Sequence, residues 1–149
     1  MKFRLGLFAA ALWWGSLTTI GFLVVPMLFA NLGTPAMAGA MAAKLFSAQT
    51  WVSIACGFLL LLALNKKDPD TGALPVPAVM KFIVAGLLLA ALVEFGVSPR
   101  IVSARADGGN LKLWHGLGTG MYVLQWLCAG ATLWLLARPV TPPVDSSQS

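Results

Sequence analysis

Residues 5–43 read LGLFAAALWWGSLTTIGFLVVPMLFANLGTPAMAGAMAA, thirty-nine positions without a formal charge. A helix needs about 20 apolar residues to cross about 30 Å of hydrocarbon, so this stretch alone is long enough to span a membrane. Two more uncharged runs follow at 45–65 and 113–137, counting His115 as neutral, and 82–99 carries only Glu94. The pattern predicts an all-α polytopic membrane protein, a four-transmembrane-helix antiparallel bundle with spans at about 5–32, 46–64, 79–98 and 113–137. The third run is short for a span, so its helix is expected to continue through Pro99, Ile101 and Val102.

The connections carry turn chemistry. Asn65-Lys66-Lys67-Asp68-Pro69-Asp70-Thr71-Gly72 and Ala106-Asp107-Gly108-Gly109-Asn110 are polar and punctuated by Pro and Gly. Thr34-Pro35 has the form of an N-cap with Pro at the first helical position, so a small-residue helix is expected from Pro35 through Lys44 into the second span. Residues 1–138 form one domain on this reading, and the Pro- and Ser-rich tail 139–149 is expected to be disordered. No internal repeat is legible, although two helical hairpins of similar size permit one.

Composition excludes the alternatives. Of 149 residues 58% are apolar and 10% charged, against about 25% charged in a soluble domain. Two Cys are too few for a disulfide scaffold, and the apolar content is too high for disorder. The net charge of +5 comes from ten basic residues in short hydrophilic gaps, not on one face. These read as orientation signals in a lipid bilayer, with no nucleic-acid partner. With both termini cytoplasmic, the inner side holds Lys2, Arg4, Lys66, Lys67, Lys81 and Arg138, and the outer side Lys44, Arg100, Arg105 and Lys112. That six-to-four excess sets the expected orientation in a bacterial inner membrane. Lys2 and Arg4 followed by an apolar run, with Ala36-Met37-Ala38 downstream, has the outline of a signal peptide. The run is about twice the usual ~7–15 residue apolar region, so the first helix is expected to be retained. Trp51, Trp114 and Trp134 fall near interfaces; Trp13, Trp14 and Trp126 lie deeper, as core or oligomer contacts.

Ala43-Lys44-Leu45-Phe46 opens the second helix, Ser98-Pro99-Arg100 ends the third, and Trp114-His115-Gly116-Leu117 opens the fourth. In their order and placement these short motifs resemble the transmembrane protein 205-like family, whose bacterial members carry a domain of unknown function. The resemblance runs from about Leu7 to Ala137. It implies a four-helix membrane bundle and supplies no established activity. The loop between the third and fourth helices is much shorter here than in animal members, so whatever they do with it does not transfer.

The candidate chemistry is sparse. An intramembrane carboxylate is a functional hypothesis by default, and Glu94, thirteen residues past Lys81, lies about 20 Å from the inner boundary at 1.5 Å per residue. His115, with Thr119 and Tyr122 at i+4 and i+7, makes a polar stripe on the fourth helix. By topology it shares a layer with Glu94, Lys44 and Gln49. Glu94, His115, Tyr122 and Gln49 are therefore the candidate ligand-binding residues, and Glu94 and His115 are expected within roughly 10 Å of each other if the helix rises hold. The bland reading has Glu94 fixing helix packing and His115 bonding a neighbour at the interface.

No metal site is assigned. His115, Met37 and Met41 are weak candidates for Cu(I), since thioether and imidazole suit it, but Met is also the common gap-filler of apolar packing. One His excludes a bis-His haem within one chain, and no cofactor is expected. Cys56 and Cys128 read as buried free thiols. Gly116-x3-Gly120 and Gly15-x3-Thr19 are small-x3-small faces of the kind that let helices or copies of the chain approach closely. Pro26 lacks the N–H that would bond Phe22, so the first helix should bend there. No phosphate loop, dinucleotide-binding glycine pattern, catalytic triad or HExxH is present, and no catalytic residue is assigned. The sequence points to a non-enzymatic membrane component or accessory protein. Its alternatives are a small carrier with a polar site in the outer half of the membrane, and a copper-handling protein.

Overall fold

The computed structural model describes residues 2–64 and 76–138. The tail 139–149 and the polar turn at 65–75 lie outside the described residues. The helices are α1 (Lys2–Thr18), a six-residue π-helical turn (Thr19–Val24), α2 (Val25–Asn31), α3 (Pro35–Leu64), α4 (Val76–Ala91), a second π turn (Leu92–Val97), α5 (Ser98–Asp107) and α6 (Leu111–Ala137). Four continuous helical stretches are long and apolar enough to cross a membrane: Arg4–Asn31, Pro35–Leu64, Ala78–Asp107 and Leu111–Ala137.

Local chemistry sets the ends. Thr34 Oγ1 accepts the Met37 N–H at 3.2 Å, capping α3 where the Thr-Pro pair places its start. The small-residue stretch and the second span form one 30-residue helix. At the other short turn Gly108 takes φ 75°, the left-handed conformation that ends α5, and Asn110 Oδ1 caps α6 through the Leu113 N–H at 3.0 Å. Both short turns lie at one end of the bundle, called here the short-turn end.

The bend expected at Pro26 is resolved as a widened turn. A proline removes a helical donor and crowds the carbonyl four residues back, and an i→i+5 turn just before it relieves that clash. Val25 N–H accordingly bonds Ile20 O, and Ser98 N–H bonds Val93 O before Pro99. Each π turn ends two residues before its proline, within Phe22-Leu23-Val24-Val25-Pro26 and Phe95-Gly96-Val97-Ser98-Pro99.

The structure thus contains the repeat that is hard to see in the sequence. The order helix, π turn, short helix, long helix occurs twice. In the first and third spans the buried positions coincide at a spacing of 73: Gly6, Ala10, Trp13 and Leu17 against Val79, Ile83, Gly86 and Ala90. In the long helices Ser53, Gly57 and Leu60 correspond to Gln125, Ala129 and Thr132 at a spacing of 72, all buried. Gly57 faces Leu87 as Gly130 faces Trp14. Around the bundle α1 and α4 each pack on both α3 and α6, so the hairpins bear an approximate two-fold relation. The core gathers Trp13, Leu17, Leu60, Ile83 and Leu136, while large side chains such as Phe8, Trp51, Phe58, Leu88 and Trp134 project outward. An outward apolar surface of this extent is what hydrocarbon requires.

Candidate functional site

Glu94 sits in the π turn of the third span, half-buried, and its Oε1 accepts the Ser47 hydroxyl of α3 at 2.6 Å. The bond crosses from one hairpin to the other. It supplies the carboxyl with a donor in a medium where an unpartnered charge costs several kcal/mol. Ser47 was not singled out in the sequence, because a lone serine in an apolar run has the same composition signal whether it packs or faces lipid.

The equivalent place in the first hairpin is filled differently. Gly21 occupies the position that corresponds to Glu94, and a Cβ there would stand 2.5 Å from the Tyr122 ring. Tyr122 lays its ring over this glycine, donates its hydroxyl to Leu17 O at 2.8 Å and meets Phe46 edge-on at 5.0 Å between centroids. Beside it Trp126 Nε1 donates to Thr18 Oγ1 at 2.9 Å, and its ring stacks on Trp14 at 5.9 Å. Two of the deep tryptophans thus act as core contacts, with Thr18 as the acceptor an indole N–H requires.

Gln49 belongs to a third group nearer the bundle centre. Its Nε2 donates to Ser16 Oγ at 2.9 Å and lies 3.5 Å from Ser53 Oγ, and Gln125 Nε2 donates to the same Ser53 hydroxyl at 3.0 Å. Three helices, α1, α3 and α6, meet in this cluster. Gln49 Oε1 and Trp13 Nε1 are buried without partners; leaving such an atom unsatisfied costs about 1–3 kcal/mol. Ser53 and Gln125 are further residues that sequence reading passed over. Two polar side chains four residues apart on α3, Gln49 and Ser53, were the signal available.

His115 is exposed on α6, where its carbonyl accepts the Thr119 hydroxyl at 2.9 Å. Met37 and Met41 are exposed on α3. The four candidates therefore do not share one hydrogen-bonded cluster: Glu94 pairs with Ser47, Tyr122 with Leu17 O, and Gln49 with Ser16 and Ser53. Cys56 is buried and Cys128 half-buried, both as free thiols. Among the described residues no group of three His, Cys, Asp or Glu could hold a metal ion. At the short-turn end Arg100 lies over the Trp114 ring at 5.1 Å, beside a shallow cleft lined by Ser103, Ala104 and Asp107.

Four apolar helices and an interior tied by side-chain hydrogen bonds define a multi-pass helical membrane protein. The chain belongs to the family of the domain of unknown function DUF4149, whose model matches residues 8–110. The match takes in the first three spans and stops at the N-cap of α6, so Tyr122, Gln125 and Trp126 lie beyond it. No curated protein and no solved structure matches the chain.

Proposed function

We propose that the chain is a non-enzymatic component of a bacterial inner membrane, an accessory or interaction protein akin to the transmembrane protein 205-like group, with both termini cytoplasmic. The observation that carries this reading is the use made of the interior polar groups: Ser47, Tyr122, Gln125 and Trp126 all spend their hydrogen bonds on another helix. Groups used in this way hold helices in register, and in lipid each such bond contributes about 0.6 kcal/mol, up to about 1.7. Gly116 and Gly120 are exposed on α6 with open space above them, a face suited to a second copy or another membrane helix. Crosslinking through Cys placed at Gly116 or Gly120 is expected to trap a dimer or a partner; a chain that stays monomeric and alone at native expression levels refutes the interaction role. For orientation, reporter fusions after Lys67 and after Gly109 should read cytoplasmic and periplasmic respectively, and the reverse pattern refutes it.

A second reading, a small carrier, is favoured by one observation: Glu94 lies in a π turn, a local widening often found at functional sites. Uptake into proteoliposomes by the unsubstituted protein, abolished in Glu94→Gln with the folded yield unchanged, would support it. No uptake across a panel of metal ions and small solutes, or uptake unchanged in Glu94→Gln, counts against it.

A further inference from the structure

At the short-turn end α5 and the start of α6 form an open cleft of about 300 Å³. Its walls are Arg100, Ser103, Ala104, Asp107, Gly109 and Trp114, so they carry one cation and one anion. Arg100, Ser103 and Asp107 are exposed, Trp114 is half-buried and Ala104 is buried. Arg100 is held in two ways: Nη1 donates to Gly96 O at 3.2 Å, and the guanidinium lies 5.1 Å from the Trp114 ring centroid. The bond to Gly96 draws the guanidinium toward the start of α5, away from Asp107 at i+7. The two charges share one face of the helix with Ser103 between them, about 10 Å apart along its axis at 1.5 Å per residue. Arg105 is turned to α3, where its Nη2 stands 3.1 Å from the position of a Cβ at Gly39. The third span runs from Ala78 to Asp107, 30 residues. At 1.5 Å each these cover about 45 Å, the thickness of the hydrocarbon with both headgroup layers. The cleft occupies the last turns of that span and therefore lies at headgroup depth, where an interfacial tryptophan also belongs.

We propose that this cleft binds the headgroup of a phospholipid that carries a primary amine, with the phosphodiester on Arg100 and the ammonium on Asp107. A guanidinium is a planar fork of N–H donors that matches phosphate oxygens, and the bond to Gly96 O uses one of them. The Asp107 carboxylate repels a headgroup that is only anionic, so the occupant carries both signs. Its cation is a primary ammonium, which donates hydrogen bonds to a carboxylate. A quaternary ammonium has no N–H, and the aromatic ring on which it would rest already has Arg100 over it. The occupant is a lipid and not a free headgroup, because exposed Val102 on α5 and Leu113 on α6 offer apolar surface on which acyl chains lie.

The test titrates the full chain in detergent with phosphatidylethanolamine, phosphatidylcholine and phosphatidylglycerol of identical acyl chains, and reads the bound lipid by native mass spectrometry. The expected result is that phosphatidylethanolamine binds at least about threefold more tightly than either of the others. Asp107→Asn should bring its affinity down to that of phosphatidylcholine, while Asp107→Glu keeps the preference. Arg100→Gln should weaken phosphatidylethanolamine at least about threefold. Both positions are exposed, and the helical circular dichroism of each variant verifies its fold; if Arg100→Gln does not fold, the Asp107 pair decides alone. Equal binding of phosphatidylethanolamine and phosphatidylcholine, which marks a non-selective lipid shell, overturns the proposal. So does a preference for phosphatidylglycerol, which marks a plain basic patch, and so does a preference unaltered in folded Asp107→Asn. Glycerophosphoethanolamine, the same headgroup without acyl chains, should give no adduct at the lipid's concentration; binding as tight as the lipid's overturns the choice of a lipid.

Discussion

The two π turns have the same backbone and opposite contents. In the first hairpin a glycine lies under a tyrosine ring; in the second a glutamate meets a serine. At the bundle centre the same exchange occurs between Trp13 and Gly86, equivalent positions of which one is the largest side chain and the other has none. A close-packed interior fixes the volume shared across an interface, so near a two-fold axis a large residue from one half requires a small one from the other. Chemistry is not subject to that constraint. The first turn is closed with an aromatic ring, and the second carries the only acidic side chain within the described spans apart from Asp107 at the end of α5. The difference marks the Glu94 side as the place where this fold departs from pure packing.

The largest effect expected is at the centre. Trp13→Ala removes a fully buried ring and should lose about 3–5 kcal/mol in a reversible detergent-unfolding titration. If the hairpins are equivalent in packing, the exchange Trp13→Gly with Gly86→Trp recovers more than half of the loss. No recovery breaks the comparison at this level.

A middle-sized effect separates the glycines of the two turns. At Gly21 an added Cβ meets the Tyr122 ring, whereas at Gly96 it meets nothing within 4 Å. Gly21→Ala should cost about 1–3 kcal/mol by overpacking, and Gly96→Ala should be neutral or stabilising by up to about 1 kcal/mol, the helix propensity gain. Thermal unfolding of both variants in one detergent checks this. Equal losses would mean that the first turn is not closed by Tyr122.

The smallest effect sharpens the chemical contrast. Tyr122→Phe deletes a bond to a backbone carbonyl and should cost about 0.6 kcal/mol. Ser47→Ala strips a donor from the half-buried Glu94 carboxyl and should cost about 1–3 kcal/mol, since a polar group left unsatisfied away from water bears its desolvation penalty. The same unfolding titration reads both. A larger loss for Tyr122→Phe would invert the ranking and make Glu94 a bystander.

Glu94 and Gln49 stood out in the sequence because polar side chains inside apolar runs are conspicuous, and each is bonded to a neighbouring helix. Their partners did not stand out. Ser47 and Ser53 are compatible with lipid-facing and interior positions alike, since a serine can bond its own helix carbonyl, as Ser103 does to Pro99 at 2.9 Å. His115 stood out for the same reason as Glu94, yet it lies exposed on α6. Rarity in the sequence does not say which way a helix face turns.

What the sequence by itself determined is the set of four membrane-crossing helices, the cap at Thr34, the polar turn that ends at Asn110, and the bend at Pro26 in the first span. These are local matters: in hydrocarbon every backbone group must be satisfied within its own helix, so length, apolarity and Pro or Gly punctuation suffice to read them. The tertiary structure alone decided how each helix is rotated about its axis, and so which side chains meet. An almost wholly apolar helix has no polar face to announce that rotation. The pairing of Glu94 with Ser47, the closing of Gly21 by Tyr122, and the near-duplicate packing of the two hairpins therefore exist only once volumes are fitted across the bundle, because shape complementarity between helices is a property of pairs of faces and of no single stretch of chain.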